Sequence, residues 1–71
     1  MKHSTYHRAT ASELDRLRIH TELSDAIVVV KRMEIETDVY HFAVRWGGGY
    51  VVVDNPPIGM DYWDSDKVLH R

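Results

Sequence analysis

The stretch that decides the fold runs from Ile27 to Asp54 and reads IVVVKRMEIETDVYHFAVRWGGGYVVVD. It holds most of the large apolar residues of the chain, so a hydrophobic core must form around it. β-Branched residues are frequent at both of its ends, and Thr37-Asp38 and Gly47–Gly49 interrupt it with residues typical of tight turns. The stretch therefore predicts three antiparallel strands joined by two turns, in a β-meander over 26–54.

The two turns also predict a register for each hairpin. The first pairs Met33 with Phe42, and the glycine turn pairs Trp46 with Tyr50. Because side chains alternate across a strand, these registers give the sheet an aromatic face and a mixed face. The aromatic face comprises Val29, Met33, Ile35, Tyr40, Phe42, Val44, Trp46, Tyr50 and Val52. The mixed face comprises Val28, Arg32, Glu34, Glu36, His41, Ala43, Arg45, Val51 and Val53.

A helix is predicted over 10–23, before the sheet. Thr10 and Glu13 have the spacing of a capping box, in which each side chain binds the backbone N–H of the other residue. Leu14 and Leu17 follow at helical spacing, so one side of this helix can cover the aromatic face. For the run that begins at Ala26, a helix capped by Ser24 is the competing interpretation of the strand.

The two ends of the chain carry weaker signals. Residues 1–9 show no periodicity, which predicts a flexible tail or a short edge strand. The prolines at 56 and 57 end the sheet, and 55–71 are expected to form a loop and a short C-terminal element. The prediction is one α+β domain over 1–71, with an N-terminal helix packed on a three- to four-stranded antiparallel meander.

Composition restricts the class of protein. Hydrophobic residues make up 44% and charged residues 28%, as in ordinary globular proteins, and no apolar run has the length of a membrane span. The chain has no cysteine, which excludes disulfides and thiolate chemistry and fits a cytoplasmic protein. The net charge of −2 is unevenly distributed, since 1–20 carry a net +2 and 54–66 a net −4.

No catalytic residue, metal site or cofactor site is predicted. His3 and His7 lack a third ligand, and Gly47–Gly49 precede a valine-rich strand, whereas a phosphate-binding loop precedes a helix. The predicted register places His41 opposite Glu34, a pair that can move protons. Because no nucleophile accompanies the pair, we interpret it as a cross-strand contact that stabilises the sheet.

Two surfaces are candidates for binding a protein partner. The first is the mixed face around His41 and Arg45, where four exposed valines, Val28, Val30, Val51 and Val53, would also favour a homodimer. The second is an acidic segment with two aromatic residues, whose members are Asp61, Tyr62, Trp63, Asp64 and Asp66. Exposed aromatic residues ringed by charge resemble interface hot spots. The alternative is that Tyr62 and Trp63 complete a small core.

The sequence thus favours a small non-enzymatic protein-binding module. By size and composition it is similar to accessory proteins of phages and mobile elements that inhibit host nucleic-acid-handling or defence machinery. The alternative is a nucleic-acid-binding regulator that uses Arg8, Arg16 and Arg18 along a basic N-terminal helix. Net acidity argues against the alternative, because affinity for nucleic acid grows with the number of phosphates neutralised.

Overall fold

The computed structural model describes residues 1–5 and 7–71, which form two helices and four short strands. The elements are α1 (Ala11–Asp15), α2 (Leu23–Thr37), β1 (Phe42–Trp46), β2 (Gly49–Val53), β3 (Tyr62–Trp63) and β4 (Leu69–His70). The strands form one antiparallel sheet in the order β2-β1-β3-β4. The predicted α+β class, with a helix on a four-stranded antiparallel sheet, is confirmed. Neither helix of the described residues has the length and apolar character needed to cross a membrane.

The strand predicted over 26–36 is wrong, because these residues lie in α2. The buried residues of α2 are Ala26, Ile27, Val30 and Glu34, which recur at three- and four-residue spacing. This stripe outweighs the strand preference of the β-branched run, since burial routinely overrides local propensity. The competing helix interpretation had the right element but the wrong cap, because the N-cap is Glu22 rather than Ser24.

The predicted turn at Thr37-Asp38 is the C-terminus of α2, so the first predicted hairpin does not form. Asp38 has a left-handed conformation with φ 57°, and its N–H donates to the carbonyl of Glu34 at 2.9 Å. A left-handed residue just after the last turn is a common way to end a helix, and Asp tolerates it better than most residues.

The capping box at the start of α1 is confirmed, but the helix predicted over 10–23 ends at Asp15. The Glu13 N–H donates to Thr10 Oγ1 and the Thr10 N–H donates to Glu13 Oε1, each at 3.3 Å. Leu14 is the buried residue of α1, whereas Leu17 is exposed. Without a continuing buried stripe, packing does not extend the helix.

The hairpin between β1 and β2 is one residue out of the predicted register. Gly47 and Gly48 have φ of 58° and 80° and form a two-residue turn, so Trp46 pairs with Gly49 rather than with Tyr50. A shift of one residue moves every side chain of a strand to the opposite face. Val51 therefore shares a face with Val44, and the predicted sorting into an aromatic and a mixed face is wrong.

Both faces of the sheet are covered. Against α2 lie Ala43 and Trp63, in a cluster with the buried side of that helix. On the other face, Leu14 of α1 packs with Val44, Val51 and Val53 of the sheet, and the partly buried Ala9, Trp46, Met60 and Tyr62 pack against this cluster. The predicted exposure of Val30, Val51 and Val53 is therefore wrong, and of the four valines only Val28 is exposed.

Two segments outside the sheet are tied to it by backbone hydrogen bonds. In the segment 1–9, the Lys2 carbonyl accepts from Tyr40 at 2.7 Å, and the Ala9 N–H donates to the Asn55 carbonyl at 2.9 Å. His20 pairs with Tyr50 through two reciprocal bonds of 2.8 Å. These contacts place 7–20 beside the outer edge of β2 and position the site described next.

Candidate binding surfaces

A groove of about 500 Å³ lies between the segment 7–20, α2 and the end of β2. Its apolar walls are Leu17, Val29, Met33 and Val52. Its polar groups are His7, Glu13, Arg18, His20, His41 and Asp54. The volume is within the range of small-molecule sites, about 300–1,000 Å³, and the mixture of apolar walls and a few polar groups is typical of them.

His41 is the most buried polar side chain of the groove, at 7% exposure. Its Nδ1 lies 2.8 Å from the carbonyl oxygen of Val39, and because a carbonyl only accepts, Nδ1 carries the proton. In the neutral imidazole the other ring nitrogen, Nε2, then carries a lone pair and accepts. The predicted pairing of the His41 ring with Glu34 does not form, since Glu34 Oε2 accepts from the His41 backbone N–H at 3.0 Å.

His7 and Glu13 form a pair at the rim of the groove. His7 Nε2 donates to Glu13 Oε1 at 2.9 Å. This bond lowers the pKa of the Glu13 carboxyl, and the Thr10 N–H and hydroxyl lower it further. Glu13 is therefore held ionised by the capping box and by His7, and its oxygen is already occupied by protein donors.

The groove does not assemble a metal site. No three His, Asp or Glu side chains in the described part of the chain are placed to hold a metal ion. His20 contributes its backbone to the bridge with Tyr50, and its half-buried ring lines the groove. The histidines thus come from separate parts of the chain and act as separate polar groups.

Arg45 and His41, predicted to share a surface, are not brought together. The Arg45 guanidinium lies 5.4 Å from the Trp63 ring and 5.8 Å from the Tyr50 ring, within the range of cation–π contacts. It lines a second depression beside the glycine turn, whereas His41 lines the groove. Each residue therefore belongs to a different surface.

The two aromatic residues of the acidic segment are packed against other side chains of the fold. Trp63 is 8% exposed and belongs to the core under α2. Tyr62 stacks on the His70 ring at 5.0 Å and meets the Phe42 ring edge-on at 5.2 Å. This arrangement favours the alternative in which Tyr62 and Trp63 complete the core. Asp61, at the start of the segment, is exposed.

Asp64 holds the turn between β3 and β4. Its Oδ1 accepts from the N–H groups of Asp66 and Val68, at 2.9 and 3.1 Å, and its Oδ2 accepts from His70 Nε2 at 2.9 Å. Burial alone would raise the pKa of Asp64, but these hydrogen bonds outweigh it and keep the pKa below its ordinary value. Asp64 therefore has a structural role in this hairpin, while Asp66 is exposed.

The arginines of the alternative interpretation do not line a helix. Arg8 donates from Nη1 to the carbonyl of Pro56 at 3.0 Å. Arg16 is the C-cap of α1, and Arg18 lies beyond it on the groove. Since α1 itself contains no basic residue, the basic N-terminal helix predicted from the sequence does not form.

An exposed surface on α2 was not predicted from the sequence. Val28 and Ile35 lie two turns apart on its outer side and are 58% and 85% exposed. Lys31 and Arg32 are exposed between them. We call Val28, Lys31, Arg32 and Ile35 the outer stripe of α2. A helical period over 23–37 would have revealed it, but the strand interpretation placed Val28 and Ile35 on opposite faces of a sheet.

Comparisons with protein-family models, with curated proteins and with solved structures found no match to this chain. Function is therefore inferred from the surfaces of the molecule alone.

Proposed function

We propose that this chain is a small non-enzymatic protein-binding module that uses the outer stripe of α2. The observation that carries the proposal is the exposure of Ile35 and Val28, at 85% and 58%, on one side of a regular helix. Apolar residues seven apart are the anchors by which helices enter grooves on partner proteins. Docking would remove both side chains from water, which stabilises a complex by roughly 25 cal/mol per Å² of apolar surface buried.

The charges of the stripe define the partner's surface. Lys31 and Arg32 lie between the two anchors, and neither forms an ion pair with another described residue. An acidic rim around an apolar groove would complement them and raise the rate of association. The partner we propose is thus a protein with such a groove.

The biological class that fits best is an accessory inhibitor from a phage or mobile element, directed at host nucleic-acid-handling or defence machinery. Small size, absence of cysteine and uneven charge support this assignment. The assignment predicts that a partner captured from host cells belongs to such a complex. Capture of an unrelated metabolic enzyme by the outer stripe would contradict it.

The test compares two matched variants. We expect the double variant Val28→Ser with Ile35→Ser to lose partner binding by a factor of about thirty or more, because truncating a hot-spot side chain costs at least about 2 kcal/mol. Ile58→Ser is the control, since Ile58 is 82% exposed in the loop between β2 and β3. Partners captured from host extract and identified by mass spectrometry would be titrated against each variant, with circular dichroism as the folding check.

Equal affinity of all three proteins for the captured partner would contradict the proposal. A homodimer is the other possible occupant of the stripe. In that case light scattering would show a dimer that the double variant converts to a monomer and that Ile58→Ser leaves intact, and the proposed partner would be replaced by a second copy.

A further inference from the structure

We infer that the groove beside β2 binds a small neutral molecule with an apolar ring and one hydrogen-bond donor, and that His41 Nε2 receives that donor. Phenols and indoles have this chemistry. The inference goes beyond protein binding by the outer stripe, because it uses the other side of α2, where Val29 and Met33 lie one turn apart.

The apolar walls of the groove are the reason for proposing that the ligand has an apolar ring. Leu17, Val29, Met33 and Val52 all line it, and none of the four is fully buried by the described chain. Covering these side chains would be favourable in proportion to the apolar area removed from water. A volume of about 500 Å³ accommodates a one- or two-ring molecule.

His41 is the reason for proposing that the ligand carries a hydrogen-bond donor. His41 is more than nine-tenths buried, and its Nδ1–H is used by the Val39 carbonyl, so in the neutral imidazole Nε2 is an acceptor. Among the described residues no side chain donates to Nε2, and no buried side-chain nitrogen or oxygen lacks a partner. Since Nε2 has no such partner, it cannot be one of the buried atoms and must be accessible to solvent. His41 lines the groove, so a ligand in the groove can reach it. An acceptor beside apolar walls favours a ligand that brings a donor.

The position of this acceptor is fixed before a ligand arrives. The His41 backbone N–H is held by the buried Glu34 carboxylate at 3.0 Å, and the ring is held by Val39 at 2.8 Å. Little rotational freedom remains for the imidazole to lose on binding, which favours affinity.

The rim charges indicate a neutral ligand. Arg18 and Asp54 both line the groove and carry opposite charges, and Glu13 is already bound by His7 and Thr10. No single sign of charge therefore dominates the groove. An anion would be attracted by Arg18 and repelled by the carboxylates, and a cation would be repelled by Arg18 and attracted by the carboxylates.

The test uses two probes that differ by one donor, 4-methylphenol and its methyl ether. Titration into the ¹⁵N-labelled protein, followed by amide chemical shifts, gives both the site and the affinity. We expect shifts at Leu17, Val29 and Val52, and an affinity for the phenol about ten times that for the ether, as the loss of one hydrogen bond to a buried acceptor implies.

Variants assign the effect to His41. His41→Phe should reduce the affinity for the phenol to that for the ether, while His70→Phe, a matched change outside the groove, should leave both affinities unchanged. If His41→Phe does not fold, Met33→Trp replaces it, because a larger side chain in the wall should abolish binding of both probes.

Equal affinities of the wild type for the two probes would overturn the assignment of Nε2. Tighter binding of benzoate than of the phenol would overturn the neutral class, and absence of shifts at millimolar probe would overturn the site.

Discussion

Among the four glycines, Gly49 is the one at which an added Cβ would be most costly. A Cβ there would lie 2.5 Å from the carbonyl oxygen of His20 and 2.6 Å from Ile19 Cγ2. The close approach exists because His20 pairs with Tyr50, which brings the segment before α2 against the edge of β2. The glycine is thus required by a contact between distant parts of the chain.

Gly49→Ala should lower the free energy of unfolding by about 2 kcal/mol, since overpacking against backbone costs roughly 1–3 kcal/mol. Gly48→Asn is the control, because nothing lies within 4 Å of a Cβ at Gly48 and Asn tolerates its φ of 80°. Urea unfolding measures both. Equal losses in the two variants would contradict the steric explanation.

The same residue shows what the sequence could not predict about the hairpin. Three consecutive glycines indicate a turn, and that prediction is correct. They do not indicate which glycine pairs in the strand, because all three have the same local preferences. The contact of Gly49 with His20 is absent from local sequence, so the register and the faces of β2 were predicted one residue out.

At the scale of elements, α2 shows a competition between propensity and burial. Ile27 to Val30 are all β-branched, and apolar residues over 27–36 alternate well enough to resemble a strand. Packing of Ala26, Val30 and Glu34 on the sheet side decides for a helix. The capping box of α1 was predicted correctly because it is local, whereas the end of α1 depends on which side chains find a core.

Val30→Thr and Val28→Thr separate the helix from the strand. In α2, Val30 is fully buried and Val28 is exposed, so we expect Val30→Thr to cost about 1–2 kcal/mol for a buried hydroxyl and Val28→Thr almost nothing. In a strand the two residues would share a face and respond alike. Thermal unfolding of both variants, compared at one pH, gives the answer, and similar losses would argue for the strand.

For the whole molecule, the α+β class could be predicted from the sequence, and the coverage of the sheet could not. A single long helix covers one face, which is why the other face was expected to be open. In the structure Leu14, Ala9 and Met60 cover it, from three segments without a strong periodic signal. The groove was missed for the same reason, since its walls come from parts of the chain that only tertiary structure brings together.

Stability should decline in acid. The pKa values of Glu13 and Asp64 are lowered from the ordinary 4.5 and 3.8, so in acid the unfolded chain binds more protons than the folded one. The contribution of these groups is present above those values and is lost as the pH falls through the folded pKa values. Urea unfolding at a series of pH values from neutral to about 2 measures the decline.

Asp64→Asn tests the share of one carboxylate in that decline. The variant should be less stable than wild type by about 1 kcal/mol at neutral pH, because it loses the charged bond to His70. The difference should shrink as the pH falls from 3.8, where the unfolded carboxyl takes up its proton, through the lower pKa of the folded carboxyl. Asp61→Asn is the control at an exposed site and should match wild type throughout. A difference that persists in acid would contradict the role of the charge.

The bridge between His20 and Tyr50 also bears on aggregation. An open edge strand can pair with another chain and seed a growing sheet. On the outer edge of β2, Tyr50 is paired with His20, and just beyond the strand Asn55 accepts from Ala9. Along an edge strand, the backbone N–H and C=O groups of every second residue point away from the sheet. Between these two contacts, Val52 is therefore the one residue of β2 whose backbone groups point outward. At the opposite edge, β4 has two residues. Neither edge offers the length that a foreign strand needs, so we expect the folded chain to resist edge-to-edge association at high concentration.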